Sequence, residues 1–143
     1  TYRVKLTVAG KSVERPITIK MDPRVDISAR ALQMQTELSK ACYDAYHELE
    51  IIKEIIDGQR SPSSAQTALR GNGNVGDPDT MYGSISHVTA AQETLVGLQQ
   101  KFLFMMNLIQ AADVQPTSQT VKAIETLNNT LVGLKARWDK VKK

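Results

Sequence analysis

The spacing of apolar residues along this chain changes period once, near residue 24. Before that point the period is two. Tyr2, Val4, Leu6 and Val8 alternate with Arg3, Lys5 and Thr7, which places the two sets on opposite faces of a strand. Gly10 supplies a turn where positive φ is cheap. Val13, Ile17, Ile19 and Met21 then resume the alternation, interrupted by Pro16. Proline has no N–H to give to a ladder, so Pro16 belongs at a sheet edge or a bulge. Pro23 restricts Asp22 and ends the second strand. Residues 1–23 therefore read as a β-hairpin.

From residue 24 to 143 the period is helical. Ile27, Ala31, Met34, Leu38, Ala41, Ala45, Leu49, Ile52 and Ile56 recur at steps of three and four, an amphipathic seam with one stutter, the repeated step of four through Ala41, Ala45 and Leu49. Asp26 or Ser28 caps this helix, and Gly58 with the Ser61–Ser64 stretch ends it, giving a span of about 27–59. Residues 61–83 are rich in Gly, Ser, Asn, Asp and Pro and read as a flexible linker, with room for a short helical turn at Ala65–Leu69. A second seam runs through Ile85, Val88, Gln92, Leu95, Leu98, Phe102, Met105, Ile109 and Ala112, predicting a helix over 84–112. A third, capped by Thr117, runs through Val121, Ile124, Asn128, Leu131, Leu134, Trp138 and Val141, predicting a helix over 117–142. The fold class expected is mainly α: a hairpin followed by an antiparallel three-helix bundle with coiled-coil-like seams.

Two stretches leave apolar surface to be explained. An isolated two-stranded hairpin is marginal in water, so its apolar face must meet either the helices or earlier strands of a larger β-domain. A chain that opens at Thr1 rather than Met favours the larger domain. The second helix carries few charges, mainly Glu93 and Lys101, and Val96, Leu103 and Phe104 fall outside its main seam. They are either covered by neighbouring helices or form a surface for another domain or subunit.

Composition narrows the function classes. The net charge is +3, from 18 basic and 15 acidic residues, and the cations are scattered rather than striped, so nucleic acid is not an expected partner. The one local cluster, Lys135, Arg137, Lys140, Lys142 and Lys143, suits a helix C-terminus. A single cysteine, Cys42, excludes an intrachain disulfide. No apolar run is long enough for a transmembrane helix.

Catalytic and metal chemistry find little footing. The Gly71–Asp77 stretch lacks the Lys-Ser/Thr that ends a P-loop, and Asn72, Asn74, Asp77 and Asp79 miss the EF-hand spacing. His47 and His87 are the only histidines, too few to converge on zinc. Cys42 and His47 lie on different faces of one helix, and Cys42 borders the apolar seam as packing. Carboxylates such as Glu48 with Glu50 and Glu54 with Asp57 fall on solvated helix faces, not in a cleft. No cofactor, metal or catalytic residue is expected.

A series of short motifs resembles one family. Tyr2-x-Val4-x-Leu6-Thr7-Val8-x-Gly10, Pro16 and Met21-Asp22-Pro23-Arg24-Val25 are followed by Leu32, Gln35 and Leu38, then the Gln110–Gln119 connection and Trp138. This order is similar to the C-terminal region of secreted bacterial proteins with sortilin-like, BNR-repeat β-propellers, often labelled glycosyl hydrolases or exo-sialidases. The resemblance implies that the hairpin ends an immunoglobulin-like module, that the helices form a non-catalytic tail, and that the location is extracytoplasmic. The hydrolase label attaches to no residue of this chain. The function expected is an interaction or scaffold module whose partner is protein, either the rest of a parent chain or another subunit. The alternatives are a self-contained accessory subunit of an assembly and a helical tail supporting glycoside hydrolysis by the parent.

Overall fold

The computed structural model describes residues 2–72 and 93–142. It is mainly helical, with an N-terminal two-stranded antiparallel hairpin. Strand β1 (Tyr2–Val8) pairs with β2 (Lys11–Ile17) in the register Tyr2↔Ile17 through Val8↔Lys11. The turn between them is Ala9-Gly10, with φ of 48° and 78°. Positive φ at both central residues is the type I′ geometry that matches strand twist, and Gly10 takes its place in it without steric cost. Beyond β2, Asp22 closes a second turn. Its backbone carbonyl accepts from the Val25 N–H at 3.0 Å, and its carboxylate accepts from both the Arg24 backbone and guanidinium. Pro23 sits at the turn position where its fixed φ is already correct. The Asp-Pro-Arg motif is thus a self-contained corner between hairpin and helices.

Four helices follow among the described residues: α1 (Ala29–Asp57), α2 (Ser64–Arg70), α3 (Leu95–Gln110) and α4 (Ser118–Val141). Each is opened by a hydroxyl side chain that accepts a backbone N–H of the first turn: Ser28, Ser63, Thr94 and Thr117. Ser63 and Gln66 form a reciprocal capping box, so the Ser- and Gly-rich stretch expected as a flexible linker over 61–83 holds a helix in its first part. Residues 73–83 of that stretch lie outside the described residues. The Thr94 cap starts α3 at Leu95, not at residue 84 as the periodicity predicts. Positions 84–92 of the expected second helix, His87 included, also lie outside the described residues.

The long helices α1, α3 and α4 share one core. It holds Cys42, Ala45, Leu49, Ile52 and Ile56 of α1, Leu95, Leu98, Phe102, Met105 and Ile109 of α3, and Ile124, Leu131, Leu134 and Trp138 of α4, with Leu69 added by α2. Side-chain bonds fix the directions of the helices. Gln35 reaches the C-terminal carbonyls of Ile109 and Ala112, while Gln99 at the other end of α3 reaches the Tyr46 carbonyl, so α1 and α3 run oppositely. Arg137 near the end of α4 donates to the carbonyl of Glu93, just before α3, so α3 and α4 also run oppositely.

The α1 seam corrects one expectation. Its buried positions are Ala31, Gln35, Cys42, Ala45, Leu49, Ile52 and Ile56, with Leu38 partly buried among them. That is an unbroken alternation of four and three with no stutter. Met34 and Ala41 lie beside the seam rather than in it. Gln35 occupies a core position because its amide donates to the Ile109 carbonyl in the last turn of α3 and to the Ala112 carbonyl just past it, at 2.5 and 2.8 Å. In α4 the partly buried Leu127 takes the seam position expected for Asn128.

Candidate interaction surfaces

The hairpin packs on none of the described helices. All residues of both strands are exposed. Because cross-strand partners share a face, the register places Tyr2, Val4, Leu6, Val8, Val13 and Ile17 on one side together with Arg15 and Lys11. Leu6 is 65% exposed and Ile17 44%. The other side carries Arg3, Lys5, Thr7, Ser12, Glu14 and Pro16, with an Arg3–Glu14 ion pair at 3.3 Å and a Thr7–Ser12 hydroxyl bond at 2.8 Å. One face therefore carries polar side chains that partly pair with one another, and the other is mainly apolar and covered by no described helix.

The two edges differ as well. Val8↔Lys11 closes the two-residue turn, so hydrogen-bonded pairs fall at Val8↔Lys11, Leu6↔Val13, Val4↔Arg15 and Tyr2↔Ile17. The residues between them turn their backbone groups outward. On β2 these are Ser12, Glu14 and Pro16, and the proline has no N–H to offer. On β1 they are Arg3, Lys5 and Thr7, each with both a donor and an acceptor.

The apolar residues singled out on α3 do not form one surface. Val96 is buried, at 2% exposure, while Leu103 and Phe104 are half-buried. Val96 belongs to the first turn of α3, where neighbouring elements converge. A Cβ added to Gly71 would come within 2.6 Å of Thr94, and Arg137 reaches the Glu93 carbonyl at 2.7 Å. Leu103, two turns on, is past that convergence. Phe104 packs against the core and, with Lys101, Met105, Ala123, Thr126 and Leu127, lines an apolar groove of about 340 Å³ between α3 and α4. Ala123, Thr126 and Leu127 were not among the expected contact residues. The signal for them is the alternation of Leu127 with Ile124 and Leu131.

Charged side chains act as ties between helices. Glu93 is buried, and its carboxylate pairs with Lys101 and accepts the Thr94 N–H. Gly97 leaves the space this carboxylate occupies, since a Cβ there would lie 2.6 Å from Glu93 Oε1. Glu48 pairs with Lys135, linking α1 to α4. Asp57 receives the guanidinium of Arg70, linking α1 to α2, and that contact holds the Asp57 carboxyl below its usual range. Two cations of the C-terminal cluster, Lys135 and Arg137, thus make tertiary contacts, whereas Lys142 pairs locally with Asp139.

Cys42 is fully buried, and loss of solvation pushes its thiol up to about 11. A thiol so placed is packing rather than nucleophile. His47 lies on the exposed side of α1 against Tyr43 and Tyr46, with Nδ1 3.1 Å from Glu50. Among the described residues no group of three or more His, Cys, Asp or Glu is placed to hold a metal ion. No described helix is long and apolar enough to cross a membrane. Compared with known proteins, no family model, curated protein or solved structure matches the chain.

Proposed function

We propose that this chain is a non-catalytic interaction module, in which an antiparallel three-helix bundle of α1, α3 and α4 carries a hairpin that docks on a protein partner. The observation that carries this reading is the bare apolar face of the hairpin, from Tyr2 to Ile17. Contiguous exposed apolar side chains rimmed by polar ones mark contact sites, and two strands without a covering layer are marginal alone. The helical part needs no such help, since its core closes on itself. The wider setting we propose is the C-terminal part of a secreted β-propeller protein, outside the cytoplasm, with the hairpin ending an immunoglobulin-like module. The residues supporting that setting are the strand motif, the Asp22–Arg24 corner and Gln35, whose amide ties α1 to the end of α3.

Site-specific photo-cross-linking in the source cells tests the docking reading. A photoreactive residue at Leu6 should give a discrete protein cross-link, while one at the exposed Lys40 of α1 should not. Absence of any cross-link at Leu6, Val4 and Val13 overturns the reading.

A further inference from the structure

We infer that β1, and not β2, is the docking edge, and that its occupant is an extended partner strand alternating apolar with acidic residues. This rests on the docking reading above and gives it a chemistry. Strand addition needs a row of unpaired backbone donors and acceptors. The outward N–H and C=O groups of Arg3, Lys5 and Thr7 supply that row, while Pro16 removes a donor from the row on β2.

The side chains beside that edge define what fits. In an added strand every second residue lies on the face of Tyr2, Val4, Leu6 and Val8, so those positions are apolar. The residues between them lie directly beside Arg3, Lys5 and Thr7. Arg3 and Lys5 are the only charged residues of β1, and both are basic and exposed. The hairpin as a whole carries Arg3, Lys5, Lys11 and Arg15 against Glu14 alone. Glu14 already pairs with Arg3 from the β2 side, so Lys5 is the cation of β1 whose charge is unmatched within the hairpin. Acidic residues in the added strand complement this row, and basic ones repel it. A second copy fits poorly, because antiparallel pairing of β1 with itself about its centre sets Lys5 against Lys5. A third strand also brings the sheet to the number at which a strand layer with one apolar face becomes stable.

The test uses the full chain and a capped peptide of about nine residues alternating valine with glutamate, followed by residue-resolved amide exchange. The expected result is exchange slowed at least about tenfold at Arg3, Lys5 and Thr7, with Ser12 and Glu14 unchanged, and binding about tenfold weaker when lysine replaces glutamate. Lys5→Pro removes the central donor and should abolish binding. Lys5→Glu keeps the strand and should reverse the preference, so that the lysine peptide binds better. Three results overturn the inference: no protection on β1 at millimolar peptide, equal binding of both peptides, or protection of β1 that grows with protein concentration when no peptide is present. If any of these occurs while Leu6 still cross-links to a protein in cells, docking stands and strand addition falls. If the Leu6 cross-link is absent too, both fall.

Discussion

The hairpin and the helical body are both amphipathic, yet only one of them buries its apolar side. In the helices, Phe102, Leu49, Leu95 and Leu98 are fully enclosed by partners from the same chain. In the hairpin, Leu6, Val8 and Val13 are exposed and, among the described residues, meet no helix. The difference is one of layers. A helix with an apolar stripe finds cover when two more such helices fold against it, whereas a two-stranded sheet has no second layer of its own. Amphipathicity that the chain itself satisfies builds a fold, and amphipathicity left open points outward to a partner.

The sharpest way to break this comparison is to truncate the same kind of side chain in both regions. Phe102→Ala empties an enclosed site and should lower stability by about 3–5 kcal/mol in denaturant titration. Leu6→Ala, from a site already in water, should change it by less than about 0.5 kcal/mol. Equal losses would mean that the hairpin is covered within the chain. Glu93→Ala comes next. It leaves the Lys101 ammonium without its carboxylate and should cost about 2 kcal/mol, a buried-pair penalty reduced because Lys101 is partly exposed. Thermal melts of Glu93→Gln should fall between that variant and the parent.

A pH series sharpens the helical side. Asp57 is held below its ordinary value by Arg70. Its stabilising contribution is therefore present above the unfolded carboxylate pKa and is lost as pH falls through the lowered folded value. Melts of the parent and of Asp57→Asn should differ near neutrality and converge over the acid window that opens below the ordinary carboxylate value. A constant difference across that window would deny the pairing a role. The smallest effect belongs to the turn. Ala9 bears a positive φ that Asn tolerates better, so Ala9→Asn should stabilise the hairpin by about 0.5 kcal/mol while leaving the melting of the helices unchanged.

Much of the architecture was legible in the spacing of apolar residues. The hairpin follows from strict alternation across a Gly-containing turn, and the cores of α3 and α4 follow from Leu95, Leu98, Phe102, Met105, Ile124, Leu134 and Trp138. The phase of α1 was harder to read, because the spacing points to Met34 while the seam passes through Gln35, whose amide reaches the end of α3. With Gln35 and Cys42 in the seam, the apparent stutter disappears. The start of α3 was missed because Thr94 lies inside a region where helical spacing continues upstream, and only the cap geometry marks the boundary. Val96, Leu103 and Phe104 were legible as apolar positions outside the main seam of α3, but their surroundings were not. Period gives a side chain's direction from its helix axis but not what stands opposite at each turn, which is why Val96 is enclosed and Phe104 opens on a groove. That the hairpin touches no described helix is a tertiary fact with no local signature in residues 2–17.

Native-state amide hydrogen exchange on the isolated chain tests the central claim most directly, because it reads the two regions in one experiment. If the hairpin depends on a partner while the helices complete themselves, the inward amides of Val4, Leu6 and Val13 should exchange within about tenfold of unfolded rates, while those of Leu49, Phe102 and Leu134 are slowed by a factor of about a thousand or more. Equal protection of hairpin and core, lost together in denaturant as one cooperative unit, would contradict the account.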